Sequence, residues 1–460
     1  MSTTRRPILD RLTQPIDGLW LALYRIGLGS CLLWQMWKYF STDLIYSDFI
    51  EPTHHFTWLW FGFVKPWPGQ GMYIHFYVLA VAASCILLGF HYRLAAFVFW
   101  LGYTWVFLID QCYYLNHYYL ICLLSFLAIF LPANREWSVD ALRNPELRRD
   151  WAPRWPLWLL RYQIAIPYVF GGIAKVNSDW LHGEPIRTWL AQRTDFPVIG
   201  QYFTAEWCVE IFVYGGLLLD LTVVPLLLWK RTRPVGLLLA VSFHLLNSQL
   251  FIIGVFPWMM IWITVILFVS PGTIGLLRGR PAVLPENDTM PQSAWVWRHQ
   301  WAAAILVLFL SWQTLMPLRH HFYPGHTAFT HEGHQFSWRM KLNIRRLTTQ
   351  FTATNPVTQT QQPLPIYRWI SYYQNRKIQD ADRVVQLVQW MEHDLQQQGD
   401  PDPVITVDAW VTLNGRPAMR FIDPELDLTQ IQRTWRPTEW ITQQPVPRSL
   451  SDLNLEDQHD

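Results

Sequence analysis

Apolar stretches at or near the ~20 residues needed to cross the hydrocarbon core of a bilayer recur through the first two thirds of this 460-residue chain. They cover residues 19–40, 72–91, 94–110, 115–131, 157–175, 207–229, 235–253, 257–269 and 301–316. A soluble domain cannot bury so many uninterrupted apolar helices, so about nine spans of a polytopic helical membrane body are expected. The pair flanking Gly254 is short and reads as broken. Only 15% of the residues are charged, against about 25% in soluble proteins. The net charge of +2 leaves no basic surface of the kind that binds nucleic acid.

Lysine and arginine placement orders these spans. With the N-terminus inside, one side carries Arg5, Arg6, Arg11, Arg93, Arg135, Arg143, Arg148, Arg149, Arg154, Lys230, Arg231, Arg233, Arg278, Arg280 and Arg298. The other carries only Lys38, Lys65, Arg187 and Arg193 before the last span. That is the positive-inside pattern, and it puts everything after the ninth span outside the cytoplasm. Residues 1–17 are polar and offer no small-x-small cleavage site, so the first span is expected to remain in the protein.

Beyond residue 317 the pattern changes to that of a smaller α+β domain, expected over 318–445, with the membrane body over 1–317. Val384, Val385, Leu387, Val388 and Met391 follow a helical repeat over 381–397. Two alternating runs, 405–413 and 416–422, flank Asn414-Gly415, the pair that favours a tight hairpin turn. Residues 336–344 read as a strand and 352–365, rich in Thr, Gln and Pro, as a loop. An acidic, frayed tail is expected over 446–460.

Polar side chains inside apolar spans are costly and mark function by default. Lys175 closes the fifth run after Gly171 and Gly172. It is either a lysine reaching to the headgroups or a desolvated amine able to act as a base. His117, with Asn116 beside it, opens the fourth run at similar depth. His244, Asn247 and Gln249 fall inside the seventh, and serve either as helix-to-helix hydrogen-bonding groups or as a site. The Gly215-Gly216 pair reads as helix packing. Five cysteines without a CxxC pair give no disulfide framework or zinc ribbon. The His54-His55, His320-His321 and His331/His334 pairs lack metal-binding spacing, so no metal is expected.

These residues sit in blocks that resemble the vitamin K-dependent γ-glutamyl carboxylase family, including bacterial homologues with the HTTM domain. The blocks are residues 136–142, 172–183, 215–221, 243–254, 336–338, 408–411 and 421–424, in family order. The resemblance implies a lyase of the bacterial plasma membrane that uses reduced vitamin K (a hydroquinone, with menaquinol as another form), O2 and CO2. In the family's chemistry a neutral amine takes a proton from the hydroquinone. Its oxygenation then generates a base strong enough to remove a glutamate γ-proton, and the carbanion adds CO2 while the quinone leaves as the epoxide. Residue by residue, Lys175 matches the base, and His117 with Asn116 matches a pair beside it. His244, Asn247 and Gln249 fall in the quinol-pocket signature, and Ser337 and Trp338 in the segment that engages glutamate. A glutamate-containing peptide or protein is the implied partner, with the bilayer and no nucleic acid, and the default state is a monomer.

The chain also departs from the animal members. Ala174 stands where they often carry a second lysine, His334 where they tend to have an aromatic residue, and the C-terminus is shorter. Two other readings stay open: a quinol epoxidase that carboxylates no protein, and a non-catalytic quinone- or lipid-binding membrane protein.

Overall fold

In the computed structural model, residues 8–251, 253–285, 300–400 and 402–442 are described. Arg5, Arg6, Arg298 and the tail expected at 446–460 lie outside them. The apolar runs form α1 (Leu19–Ser41), α2 (Gly71–Leu88), α3 (Tyr92–Ile109), α4 (Asn116–Phe130), α5 (Trp155–Lys175), α6 (Glu206–Leu228), α7 (Arg233–Leu250), α8 (Phe256–Phe268) and α9 (Gln300–Leu315). Their ends follow local chemistry. Gly89 takes the left-handed conformation, with φ 65°, that closes α2. Ser270 and Pro271 stop α8 and start a new helical piece bent by 99°.

Among the described residues, helices α2, α3, α5, α6 and the segment Trp301–Phe322 are long and apolar enough to cross a membrane, and α8 with Pro271–Arg278 makes a sixth if counted as one span. The expected nine are therefore not reached, for a physical reason. Arg25, Gln35 and Lys38 in α1, and Arg233, His244, Asn247 and Gln249 in α7, dilute helices that are otherwise long enough. Helices α4 and α8 span only 15 and 13 residues. Arg25 shows the structural use of such a charge. Its guanidinium donates to the carbonyls of Ala133 and Ile86, each at 3.0 Å, and of Trp137 at 2.5 Å, tying the end of α2 to the loop that follows α4.

The C-terminal part is an antiparallel sheet covered by one helix. Strands β1 (Arg345–Thr354), β2 (Gln361–Leu364), β3 (Val404–Leu413) and β4 (Met419–Ile422) take the order β2-β1-β3-β4. Strand β3 alternates, with Ile405, Val407, Ala409, Val411 and Leu413 buried. They pack in one core with Val384, Leu387, Val388 and Met391 of α10 (Ala381–Gln397). Asn414 and Gly415 both hold positive φ, 49° and 78°, as the hairpin requires.

Two expectations are corrected. The loop expected at 352–365 contains the end of β1 and all of β2, because Phe351↔Leu364 through Thr354↔Gln361 pair across a short turn. The strand expected at 336–344 does not form, since Phe336, Trp338 and Lys341 have φ of 62°, 55° and 53°. That left-handed backbone cannot continue a ladder. Pairing begins only at Arg345.

This domain docks on the loops that follow α1, α3 and α5. Gln374 donates to Asp110 Oδ2 and to the His54 carbonyl at 2.9 and 2.8 Å. Gln111 donates to Asp382 at 2.8 Å, and Arg416 and Asn414 hold Asp179. The opposite end of the bundle is tied by Arg278, which bonds Asp17 and Glu136, and by Arg280 on Asp150. A concavity lined by Gly18, Leu21, Arg135, Glu136 and Trp151 lies at that far end. It is separated from Lys175 by the length of α5, roughly 30 Å at 1.5 Å per residue.

Candidate active site

Lys175 is the last residue of α5 and is buried. Its Nζ donates to Asp220 Oδ2 on α6 at 2.5 Å and to the Gly216 carbonyl at 3.4 Å. It also lies over the rings of Trp180 and Phe243, 5.1 and 5.8 Å from their centres. Gly172 makes this approach possible. A Cβ at Gly172 would stand 2.8 Å from Leu221 Cδ2 and 3.2 Å from Asp220 Cβ. One at Gly216 would stand 3.9 Å from Lys175 Nζ, and one at Gly171 would meet Asp220 Oδ2 at 3.4 Å. Of Gly171 and Gly172, expected to permit close approach, Gly172 does so, whereas a side chain at Gly171 would meet its neighbours at ordinary contact distance. Gly215, by contrast, faces open space.

The capping domain closes over this pair. The Trp338 carbonyl and Met340 Cε lie 3.9 and 3.7 Å from where a Gly171 Cβ would be. Trp338 is fully buried against Tyr119, with ring centres 5.4 Å apart, and its Nε1 has no hydrogen-bond partner. Ser337 is buried and donates to the Gly333 carbonyl at 2.6 Å. Phe336 inserts among Trp58, Tyr114 and Tyr119, which fixes the left-handed conformations around it. Strained non-glycine backbone of this kind persists only where surrounding contacts enforce it, and it gathers at functional segments.

His244 lies on the Tyr168 side of the site. Its Nε2 is 2.6 Å from the Tyr168 hydroxyl, and its buried Nδ1 has no partner. Tyr168 precedes Lys175 by two helical turns, about 10 Å along α5. The Phe256 ring stands between His244 and His117, 5.9 and 6.1 Å from them. Asn116 accepts from Tyr114, whose hydroxyl in turn accepts the Phe336 N–H at 2.7 Å. Phe256 thus joins His117 to His244, and Tyr114, Phe336 and Tyr119 join Asn116 to Trp338. Asn247 is half-buried. Gln249 is exposed and bonds Ser248, at the rim of this group.

Two features escape the sequence reading. Asp220 lies within residues 215–221, and as a carboxylate in an apolar span it meets the same criterion that selects Lys175. The second is a basic cluster under the capping domain. Buried atoms of Arg319 (Nη1), Arg339 (Nε), Arg345 (Nη2), Arg383 (Nε) and His334 (Nδ1) have no hydrogen-bond partner. His331 and His334 stack with ring centres 4.1 Å apart. Burial, and then the positive charges of Arg339, Arg345, Arg319 and Arg383, push His334 down to about 3. Burial lowers Arg345 to about 9. Buried donors without acceptors suit an anion. Among the described residues no group of three or more His, Cys, Asp or Glu gathers as for a metal.

Two family models match the chain: the HTTM domain over residues 13–272, and the vitamin K-dependent gamma-carboxylase, lumenal domain, over residues 298–446. The second match includes α9. No solved structure matches the chain.

Proposed function

The chain belongs to the HTTM-domain, vitamin K-dependent gamma-carboxylase family, and on that premise we propose that it converts reduced vitamin K to the epoxide and couples this to carboxylation of glutamate. The reading places it in a bacterial plasma membrane with the capping domain outside the cytoplasm. One observation carries it: a lysine buried beside a carboxylate where the membrane body meets its cap.

The donor set fits a ring ligand bearing two hydroxyls. Phe243, Trp180, Phe256, Tyr119 and Trp338 supply apolar faces, and the unpartnered His244 Nδ1 and Trp338 Nε1 supply polar contacts. Bound reduced vitamin K supplies, with O2, the base that no side chain can match, strong enough to free a glutamate γ-position for CO2. Lys175 receives the hydroxyl proton of the quinol. His117 and Asn116 flank it, His244 and Asn247 line the pocket behind, and Gln249 lies at its rim. Ser337 and Trp338 hold the glutamate-bearing chain, and Arg319, Arg339 and His334 meet its carboxylate. The cap and its buried aromatic rings keep water from the reacting groups, since water would quench a strong base or a carbanion.

The test is to supply purified protein with reduced vitamin K, O2, a glutamate peptide and labelled CO2. Epoxide together with label in the peptide is expected. Epoxide without label selects the epoxidase that carboxylates no protein. Quinol binding without either product selects a non-catalytic binding protein.

A further inference from the structure

Lys175 is paired before any substrate arrives. Its Nζ is 2.5 Å from Asp220 Oδ2, and both side chains are buried. An ammonium in such a pair has no lone pair with which to accept a proton. A neutral amine there would leave Asp220 as a buried carboxylate without a counter-charge, which is strongly unfavourable. The charge of each partner is thus compensated only while the other keeps its own.

Nothing else packed against the pair replaces either partner. Trp180 and α7 offer the rings of Trp180 and Phe243. His244 on α7 is bound to Tyr168. The segment over Gly171 offers the Trp338 carbonyl and Met340. Lys341 lies over Trp189 and Phe251, and Asp179 is held by Arg416 and Asn414.

We propose that Asp220 is the proton-holding partner of this site, so that Lys175 passes a proton to Asp220 as it takes one from the quinol hydroxyl. This rests on the quinol reading above. In the step an Nζ–H bond of Lys175 breaks and an O–H bond forms on Asp220. The quinol O–H bond breaks and a new Nζ–H bond forms. Before it the site holds an ammonium and a carboxylate; after it, an ammonium, a neutral carboxyl and a quinol oxyanion. Net charge in the membrane does not change, and the ammonium stays beside the new negative oxygen, where it stabilises it most. Asp220 acts through Lys175 and is a positioning residue rather than a group in contact with substrate.

The test uses the full chain in lipid nanodiscs. Reduced vitamin K is added without O2, and difference infrared spectra are recorded. Wild type should gain the carbonyl stretch of a protonated carboxyl group, and Asp220→Asn should not. In air, Asp220→Asn should lower kcat for epoxide formation about 100-fold near neutral pH. Its KM for quinol should stay within about threefold, and its rate should climb with pH as the unpaired amine deprotonates. Asp220→Glu should recover to within about tenfold of wild type. Wild-type kcat and pH profile in Asp220→Asn would overturn the proposal, as would epoxide formation by wild type with no carboxyl band. If Asp220→Asn does not fold, the wild-type band and the Asp220→Glu profile decide the matter. A wild-type protein that makes no epoxide defeats the quinol reading itself, an outcome distinct from epoxide without the band.

Discussion

Two ends of this molecule bury arginines, and they treat them in opposite ways. At one end the buried Arg278 side chain is held by Asp17 and Glu136, and the exposed Arg280 lies on Asp150, so each cation meets a carboxylate within the protein. Under the cap, Arg383 meets Asp380 at 3.4 Å and Arg345 donates to the Phe329 and Gln379 carbonyls, whereas Arg319 and Arg339 beside His334 leave buried donor atoms without acceptors. The first arrangement completes itself and ties loops together. The second is incomplete without an anion. Lys175 stands between these cases, satisfied by Asp220 at rest and able to redistribute a proton when a substrate hydroxyl arrives. Burial of charge alone therefore does not identify a site. The presence or absence of an internal counter-charge separates a tie from a binding group.

Substitutions at the two ends sharpen this contrast. Arg278→Gln strands Asp17 and Glu136 and should cost about 3 kcal/mol of stability, read as a lower denaturation midpoint in detergent. A midpoint within error of wild type would break the contrast from that side. Arg339→Gln removes a cation that has no internal partner, so stability should not fall. Its effect should instead be an increase of about tenfold in KM for a glutamate peptide, about 1.4 kcal/mol, with quinol epoxidation unchanged. A destabilised Arg339→Gln with normal peptide KM would make the cluster a structural tie like the other end.

The smallest effect concerns His334. Its folded pKa, about 3, lies below the ordinary value of 6.5 that it regains on unfolding. The unfolded chain thus binds the extra proton first as pH drops. The contribution of His334 to stability is complete above about 6.5 and is lost progressively as pH falls toward about 3. His334→Gln should flatten the decline in thermal midpoint over that window. An unchanged slope would remove the cationic surroundings as its cause.

Much of the architecture was legible because short-range chemistry governs it. The repeat through Val384, Leu387, Val388 and Met391 gave α10, and Asn414-Gly415 gave the hairpin. Lys175 stood out because a charge closing an apolar helix must either reach the headgroups or find a partner inside the protein. The segment around Phe336 and Trp338 was misread as a strand, since its apolar content is the same whether it pairs or inserts. Its conformation is set by Trp58, Tyr114 and Tyr119, more than 200 residues away for the two tyrosines. All nine apolar runs form helices, but among the described residues only five or six are long and apolar enough to count as spans, because polar groups such as Arg25 and His244 dilute others. Asp220 is legible by the criterion that selects Lys175, a charge inside an apolar run, but its pairing with Lys175 joins residues 45 positions apart and is visible only in the fold.

The most direct measurement compares epoxide formation from reduced vitamin K by wild type and by Lys175→Ala, both in nanodiscs and both shown to be folded. Loss of epoxide in the variant with quinol still bound is the expected result. Epoxide formation at the wild-type rate by Lys175→Ala would contradict the assignment of the site.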